Sequence, residues 1–352
     1  MQNNLKIRNP LVTTPMGNLI KNIGDTHLGR VFKTDVALDR RGQYENFQKQ
    51  TLIKELFSPI EDENAGLSLI RVQVGDWFDK AIVPPSDVLG SFKLLEQYNI
   101  TEGIAPLYIL SGNHDDSKNL SEKTSWDLLE QLIKPMVWTE AVKTWKVHTF
   151  PNGESIILIG WNVTTNAQEA LLDAKEAGYS NITTAVCHLD RVSFGNDDNV
   201  IPYEFFSEQG IKMVISGHDH KPYHFFDYGM EIIGTGSLLP YSHAEDHNDD
   251  IYHTFKTVED LQEYLETNPD VSSKHIRVYV DEDDVVPEVD AYSVKILKRE
   301  VAEIDLNTGV ELVSIDSYNP KKVWEKTAED NLLTKDVADQ IWLEIKKQGI
   351  EE

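Results

Sequence analysis

Five short segments of this 352-residue chain contain the side chains that ligate divalent metal ions in proteins. The segments are Gly24-Asp25-Thr26-His27, Gly75-Asp76-Trp77-Phe78-Asp79, Gly112-Asn113-His114-Asp115, Cys187-His188 and Gly217-His218-Asp219-His220. Imidazole, carboxylate and amide ligands in one set suit Mn, Fe or Zn better than Ca. Because Cys187 is the only cysteine, an internal disulfide and a cysteine-rich zinc site are excluded. The segments therefore predict a metal centre made of His, Asp and Asn side chains.

Each of these segments follows a short apolar run. The runs cover residues 19–23, 67–74, 107–110, 182–186 and 211–215, and a further run covers 156–159. Runs of this kind are typical of strands that are buried on both faces. In α/β sheets, ligands bind beyond the carboxyl ends of the strands. Since alternate residues of an extended segment point the same way, Asp25 and His27 are expected to share one target, as are His218 and His220.

Helical patterns alternate with the apolar runs, and this alternation predicts an α/β layered core. These patterns cover residues 44–57, 87–98, 125–132 and 167–177. Beyond residue 236 the sequence predicts an acidic loop at 242–250, a helix at 258–266, strands at 275–280, 292–297 and 310–315, and an amphipathic helix at 334–347. We therefore expect a catalytic domain over residues 1–270 and a small C-terminal region over residues 271–352.

The charge of the chain limits the partners that it can bind alone. With 33 basic and 59 acidic residues, the net charge is −26, and the sequence predicts weak unaided binding to nucleic acid. Bound divalent cations would correct the potential locally, and a basic partner would correct it more broadly. The sequence has no apolar stretch of membrane-spanning length, and residues 1–18 lack the apolar core of a secretory signal. We therefore expect no membrane association and a cytoplasmic location.

The order of the motifs resembles that of the calcineurin-like metallophosphoesterase superfamily. Its pattern is D-x-H, G-D-x-x, G-N-H-D/E, H and G-H-x-H, and all five motifs match over about residues 25–220. The resemblance implies a layered β-sandwich that is flanked by helices and holds two divalent metal ions. Within the superfamily, residues 24–29, 75–79 and 233–237 resemble the SbcD/Mre11-type nuclease branch, which includes phage recombination endonuclease subunits.

The resemblance also implies a role for each motif residue. One metal ion would be held by Asp25, His27 and His220, and the other by Asn113, His188 and His218. The carboxylate of Asp76 would bridge the two ions. His114 would contact the phosphate without ligating a metal, where it would stabilise the transition state or protonate the leaving oxygen. The nuclease branch favours Mn²⁺, and Mg²⁺, Fe²⁺ and Zn²⁺ are the alternatives.

Several other polar and aromatic residues have two interpretations each. Asp79, Asp115 and Asp190 are expected either to orient ligand histidines or to have a plain capping or solvated role. Trp77 and Phe78 are expected to pack in the core rather than to stack on a base. A group near the end of the catalytic domain predicts a polar loop at the mouth of the site: His243, Glu245, Asp246 and His247.

The leading functional hypothesis is a DNA exo/endonuclease subunit that acts in DNA repair and recombination with an SbcC/Rad50-like SMC-type ATPase. The apolar stripe of the terminal helix would contact that ATPase or would pack back on its own domain; it consists of Val337, Ile341, Trp342 and Ile345. The resemblance also allows a homodimer formed through helices of the catalytic domain. The alternative is a small-molecule or cyclic-nucleotide phosphodiesterase, or a phosphatase, with the same metal site. A non-catalytic scaffold is disfavoured because the sequence keeps every ligand.

Overall fold

The computed structural model describes residues 8–299, apart from 61–67, 102–103, 118–121, 163, 193–198 and 247–248, together with residue 342. The described residues up to 299 belong to one compact unit. The predicted strand at 310–315 and the predicted helix at 334–347 lie outside the described residues, apart from residue 342. None of the helices in the described ranges has the length and apolar character that crossing a bilayer requires.

The apolar runs form the central strands of two sheets. The first sheet has the order β1-β2-β3-β4-β5, in which β2 to β5 are parallel and β1 is antiparallel to β2. Its strands are β1 (Leu11–Thr13), β2 (Leu19–Ile23), β3 (Leu69–Gln73), β4 (Leu107–Leu110) and β5 (Thr139–Val142). The runs predicted at 19–23 and 107–110 have the predicted bounds, and the run at 67–74 forms the shorter β3.

The second sheet has the order β10-β11-β9-β8-β7-β6, with antiparallel strands at its two edges. Its strands are β6 (Trp145–Thr149), β7 (Ser155–Ile159), β8 (Ile182–Cys187), β9 (Met213–Ser216), β10 (Tyr223–Asp227) and β11 (Met230–Gly234). The inner strands β7, β8, β9 and β11 are parallel, so the carboxyl ends of β8 and β9 lie at one edge of the sheet.

The two sheets pack face to face, and helices cover their outer faces. Successive residues of the inner strands point to opposite faces of the sheet, so Ile156 and Leu158 join a cluster with Ile70 and Val72 between the sheets. Ile157 and Ile159 point outward and pack against helix α4 (Ala167–Glu176). The other helices of the two layers are α1 (Gln43–Phe57), α2 (Pro85–Ile100), α3 (Ser125–Ile133) and α5 (Tyr203–Glu208). The predicted α/β sandwich flanked by helices is therefore confirmed.

A third, parallel sheet follows the sandwich. It consists of β12 (Tyr252–Phe255), β13 (His275–Val280) and β14 (Ser293–Lys298), and helix α6 (Val258–Thr267) packs against it. Since β12 and α6 precede residue 270 and β13 and β14 follow it, the expected domain boundary runs through one packed unit. That boundary stays a prediction.

A histidine in this sheet makes the stability of the fold depend on pH. The ring of His275 stacks on Tyr252 at 4.1 Å between centroids, and it also contacts Tyr44 and Tyr292. Nδ1 lies 2.8 Å from the hydroxyl of Ser293, whereas the buried Nε2 has no hydrogen-bond partner in the described part of the chain. Burial, with a contribution from His243, lowers the pKa of His275 to about 4.

Acid should therefore unfold the protein more readily than it unfolds a His275→Phe variant. Between the ordinary pKa of histidine and the lowered one, the unfolded chain binds a proton that the native chain does not, so stability falls as pH falls. Between pH 7 and pH 4.5 the wild type should lose roughly 2 to 3 kcal/mol more unfolding free energy than the variant. Urea unfolding at both pH values measures this difference, and equal losses in the two proteins would contradict the assignment.

Candidate metal centre

The ends of five strands and the loops that follow them bring the predicted ligands together. Asp25 and His27 follow β2, Asp76 follows β3, and Asn113 follows β4. From the second sheet, His188 follows β8, and the loop after β9 carries His218 and His220. The carboxyl edges of both sheets therefore meet at one site.

The first group of side chains could hold one metal ion. Ligand atoms of Asp25, His27, Asp76 and His220 all lie within 4.8 Å of one another. The Nε2 atoms of His27 and His220 are 2.9 Å apart. Nε2 of His27 lies 3.6 Å from Oδ2 of Asp76, and Nε2 of His220 lies 3.9 Å from Oδ2 of Asp25.

The second group shares Asp76 with the first. Ligand atoms of Asp76, His188 and His218 lie within 4.8 Å of one another. Oδ1 of Asn113 lies 3.0 Å from Nε2 of His188 and 3.0 Å from Nδ1 of His218. Because Oδ1 of Asp76 faces His188 at 3.5 Å and Oδ2 faces His27 at 3.6 Å, this carboxylate has one oxygen in each group.

In His188 and His218, one ring nitrogen donates a hydrogen bond to a group outside the site. The other ring nitrogen therefore directs a lone pair into the site. Nδ1 of His188 lies 2.8 Å from the carbonyl oxygen of Val74, which can only accept, so Nδ1 carries the proton and Nε2 faces Asn113 with a lone pair. Nε2 of His218 lies 2.7 Å from a carboxylate oxygen of Asp190, so Nδ1 faces Asn113 in the same way. Acceptor atoms of His188, His218 and Asn113 therefore face one another. This donor set fits a divalent cation.

The pKa values of the buried groups agree with that fit. Burial and the neighbouring Asp76 raise the pKa of Asp25 well above its ordinary value, and Oδ1 of Asp25 has no hydrogen-bond partner among the described residues. Burial lowers the pKa of His188 to about 4 and that of His27 well below its ordinary value, so both imidazoles are neutral at pH 7. Crowded carboxylates next to neutral imidazoles are stabilised by a metal cation, which supplies the missing positive charge.

Three of the ligands have a left-handed backbone. The φ angles are 47° at His27, 49° at Asp76 and 73° at His218. Such conformations cost a non-glycine residue of order 1 kcal/mol or more, and they persist where the surroundings impose them. Here the amides of Thr26 and His27 both donate to the carbonyl of Asp76, at 3.0 and 2.8 Å, which ties the first two ligand loops together.

The glycines that precede the candidate ligands are required for two different reasons. Only Gly75, with a φ of 115°, has the left-handed backbone that favours glycine. Gly112 is needed for space, since a Cβ there would lie 2.0 Å from Oδ1 of Asp76 and 2.1 Å from its backbone nitrogen. A Cβ at Gly217 would likewise lie 2.7 Å from Oδ1 of Asp25.

A Gly112→Ala variant should therefore bind metal poorly although it adds a single methyl group. The methyl group must displace the bridging carboxylate or its main chain, because the neighbouring backbone atoms cannot give way. We expect metal affinity to fall at least tenfold, as it does when groups that orient ligands are lost. Isothermal titration with Mn²⁺ measures the change, and Gly90→Ala is the control, because a Cβ at Gly90 meets no atom within 4 Å. An unchanged Mn²⁺ affinity in the Gly112→Ala variant would contradict the close approach of this position to Asp76.

The ring of His114 lies beside His27 of the first group, and its backbone amide donates to Oδ1 of the shared Asp76 at 2.9 Å. Its Nδ1 lies 2.7 Å from the carbonyl oxygen of Asp79 and therefore donates to it, which leaves Nε2 free to face a substrate. Its ring centroid is 4.8 Å from that of His27. The side chain of Asp79 lies 3.6 Å from Nδ1 of His27, so Asp79 contacts two histidines of the site.

The predictions for the other polar and aromatic residues near the site have different outcomes. Asp190 contacts the ligand His218, as one of its two interpretations expects. Asp115 contacts no ligand histidine; it accepts from the amides of Trp77, Phe78 and Gly112 at 3.0, 2.8 and 2.9 Å and so joins two ligand loops. Trp77 and Phe78 are fully buried and belong to the core, which confirms the packing interpretation.

Two open clefts border the site and contain basic side chains. The larger has a volume of about 780 Å³ and includes Asn113 and His114 in its lining. Its basic residues are Arg30, Lys33 and Lys80. The smaller, of about 390 Å³, includes His220 and has Arg191 and Lys221 as its basic residues. The larger cleft also contains Asp79 and Asp116, and the smaller contains Asp219 and Glu245, so basic residues exceed acidic ones by one in the larger cleft and equal them in the smaller.

Sequence reasoning missed three residues that hold the ligands in place. The hydroxyl of Tyr241 donates to the carbonyl oxygens of Asp25 and Thr26 at 3.1 and 2.8 Å. Arg8 donates to the carbonyl of His220 at 2.6 Å. Glu245, expected only in a polar loop, lies 3.2 Å from Nδ1 of His220. The contacts of Tyr241 and Arg8 span 212 to 216 positions, whereas that of Glu245 joins two neighbouring loops, and none of them leaves a periodic or motif signal in the sequence.

Comparisons with known proteins give the family of the chain. The search of curated proteins gives no match. Among solved structures, a protein named as a 5′-nucleotidase from Staphylococcus aureus, in complex with α-ketoglutarate, is 12% identical, with 62% of this chain and 48% of that chain covered and a TM-score of 0.35. GAP50, the anchor in the inner membrane complex of Plasmodium, is 15% identical, with 62% of this chain and 71% of that chain covered and a TM-score of 0.37.

This chain thus spans about half the length of the Staphylococcus aureus protein. The SbcD/Mre11-type branch stays a prediction. The family described as calcineurin-like phosphoesterase matches residues 19–222, which is more than half of the 352 residues. The chain belongs to the calcineurin-like phosphoesterase family.

Proposed function

We propose that this chain is a two-metal phosphodiesterase that cleaves DNA. The observation that carries the proposal is the pair of donor groups that share Asp76, each with one carboxylate oxygen facing it. One ion would be held by Asp25, His27, His220 and Asp76, and the other by Asp76, Asn113, His188 and His218. When bound, two divalent cations lower the pKa of the attacking water and neutralise charge on the in-line transition state.

The chain's own residues would complete the reaction. His114 donates Nδ1–H to the carbonyl of Asp79, which fixes the ring; when the ring is protonated at Nε2 as well, Nε2 can pass that proton to the leaving oxygen of the diester and return to the neutral form. The basic side chains of the larger cleft, Arg30, Lys33 and Lys80, would bind phosphate groups of the strand.

The two clefts favour a long diester over a small ester as the substrate. Each cleft borders the site through a different predicted ligand, Asn113 in one and His220 in the other, and each has basic residues. A nucleic-acid strand continues on both sides of the bond that is cut, whereas a monoester needs one cleft only. The motifs at residues 24–29, 75–79 and 233–237 support the same substrate through their resemblance to the nuclease branch.

The proposal includes a partner, a metal and a cellular role. The partner is an SbcC/Rad50-like SMC-type ATPase, which would supply DNA affinity that a chain of net charge −26 lacks by itself. The contact would be made by the apolar stripe of the helix predicted at 334–347, and the metal would be Mn²⁺. The complex would act in DNA repair and recombination.

Hydrolysis assays with Mn²⁺ on linear DNA and on bis(p-nitrophenyl) phosphate test the proposal. We expect both substrates to be cleaved, with DNA cleavage enhanced by the ATPase. A Lys33→Glu/Lys80→Glu double variant should raise the KM for DNA at least tenfold and leave the chromogenic diester unaffected, because only the polyanion needs the cleft cations. A Lys93→Glu/Lys134→Glu double variant, at two exposed positions outside both clefts, is the charge-matched control.

The assays also separate the alternative functions. Turnover of the chromogenic diester without DNA cleavage, even with the ATPase present, would replace the nuclease with a small-molecule or cyclic-nucleotide phosphodiesterase. Turnover of phosphomonoesters alone would indicate a phosphatase. No turnover of any ester in a preparation that binds two metal ions would overturn the enzymatic proposal itself.

A further inference from the structure

The guanidinium group of Arg8 connects three distant parts of the chain beside the metal centre. Nη1 donates to the carbonyl of His220 at 2.6 Å and to the carbonyl and hydroxyl of Ser237 at 3.1 and 2.9 Å. Nη2 donates to the carbonyl of Glu245 at 2.6 Å, and Nε donates to a carboxylate oxygen of Asp249 at 2.8 Å. The side chain of Arg8 is only 7% exposed, so these bonds form away from water. Arg8 thus fixes the main chain of a predicted ligand.

Glu245 acts on the side chain of the same ligand. Its Oε2 lies 3.2 Å from Nδ1 of His220, which leaves the Nε2 lone pair of His220 directed toward His27 and Asp25. The carboxylate is itself held, since the amide of Tyr241 donates to Oε2 at 2.8 Å and the hydroxyl of Ser242 donates to Oε1 at 3.0 Å. Through the carbonyl of Glu245, Arg8 holds this loop as well as His220.

His220 needs such support more than the deeply buried ligands do. Its side chain is 22% exposed, whereas those of His27 and His188 are fully buried and fixed by the surrounding core. The neighbouring ligand His218, also partly exposed, has a separate partner in Asp190. Each group therefore has a carboxylate that contacts its partly exposed histidine, Glu245 for His220 and Asp190 for His218. Of the two groups, the one with His220 is bonded to Arg8.

We propose that Arg8 and Glu245 are positioning residues that set the affinity of one metal ion, the ion that His220 shares with Asp25 and His27. This inference rests on the metal site of the proposed function. Arg8, Ser237 and Glu245 all lie outside residues 19–222, so the residues that support His220 are not in the part of the chain that matches the family. Loss of either positioning residue weakens the binding of one metal ion and leaves the binding of the other unchanged.

Manganese titration of the full-length chain tests the inference without any substrate. Isothermal titration gives the affinities of the two ions, and electron paramagnetic resonance reports whether two bound Mn²⁺ ions are coupled. In Arg8→Lys, the charge remains but a single ammonium group cannot replace the planar fork that reaches His220, Ser237 and Glu245 together. We expect one ion to bind 10- to 100-fold more weakly, the other to bind as in the wild type, and the coupled signal to return at high Mn²⁺.

Three further variants make the result specific. Glu245→Gln should weaken the same ion as Arg8→Lys, whereas Asp190→Asn should weaken the other ion through His218. Arg71→Lys is the matched structural control, because Arg71 is also buried and donates to a main-chain carbonyl, that of Ser58 at 2.6 Å, and Ser58 is not a candidate ligand. It should lower the melting temperature and leave both metal affinities unchanged.

The normal affinity of the second ion shows that a variant is folded. Two unchanged affinities in both Arg8→Lys and Glu245→Gln would overturn the inference, and so would equal weakening of both ions, which would indicate a general structural role. A wild type that binds two ions without cleaving DNA would refute the proposed function and leave this inference intact.

Discussion

An Asp76→Asn variant should lose at least about a thousandfold in kcat/KM for any phosphodiester, a change of about 4 kcal/mol in transition-state stabilisation. Asp76 is the only residue that both metal groups contain, and its two oxygens lie 3.6 and 3.5 Å from His27 and His188. An asparagine side chain has one acceptor oxygen and no negative charge, so it can ligate at most one of two cations. The variant should therefore bind one ion weakly or none.

The same substitution is conservative for the fold. The amide of His114 donates to Oδ1 of Asp76 at 2.9 Å, and the asparagine oxygen can still accept that bond. The carbonyl of Asp76 keeps its bonds to the amides of Thr26 and His27. A melting temperature near that of the wild type, together with lost activity and lost metal, is thus the expected pattern. Substantial activity with two bound ions would show that Asp76 does not bridge them.

A His114→Asn variant should keep both metal ions and lose activity on DNA by about 10² to 10⁴, the usual contribution of a general acid. His114 belongs to neither of the two groups that share Asp76, and its Nδ1 donates to the carbonyl of Asp79. The asparagine amide group can take over that donation, so the loop should be retained. Only the second ring nitrogen, which faces the substrate, is removed.

The choice of substrate distinguishes two roles of His114. The leaving oxygen of a DNA strand is a poor leaving group and needs a proton, whereas p-nitrophenolate leaves without one. If His114 protonates the leaving group, the loss should be at least tenfold larger for DNA than for bis(p-nitrophenyl) phosphate. Equal losses would instead assign His114 to charge stabilisation of the transition state. Loss of metal in the variant would make His114 a ligand and contradict the proposed arrangement.

The strands that carry ligands could be predicted because they are buried on both faces. All four side chains of β4 are buried, and so are four of the five in β2, which gives the continuous apolar runs that the sequence shows. Five strands that the sequence did not predict lie at sheet edges, namely β1, β5, β6, β10 and β12. In β10, with the sequence YHFFD, all five residues are partly or fully exposed, and no period-2 pattern separates them. Edge strands of this kind are decided by their partner, here β11, and not by their own composition.

The motifs that carry the candidate ligands could be found in the sequence because they are local, whereas the residues that contact those ligands could not. Gly112-Asn113-His114-Asp115 can be identified within four positions, but the bond from Arg8 to His220 spans 212 positions and has no neighbouring cue. The steric need for glycine at position 112 could not be predicted either, because the close approach of Asp76 becomes visible only when β3 and β4 are paired. Long-range packing of this kind needs coordinates.

The resemblance was more specific than the comparisons support. The five metal motifs lie within residues 19–222, and the match there gives the calcineurin-like phosphoesterase family. The cues for the SbcD/Mre11-type branch are short segments beside those motifs, at residues 24–29, 75–79 and 233–237. They describe loops around the metal centre rather than groups that contact a substrate. The substrate class is therefore inferred from the two clefts, and hydrolysis of DNA and of bis(p-nitrophenyl) phosphate tests it.

A crystal structure of the protein grown with Mn²⁺, measured at the manganese absorption edge, tests the central claim most directly. Two anomalous peaks should appear about 3.5 to 4 Å apart, one on each side of the Asp76 carboxylate. One peak should be surrounded by Asp25, His27 and His220, and the other by Asn113, His188 and His218. A single peak, or peaks that these side chains do not contact, would contradict a two-metal centre in this chain.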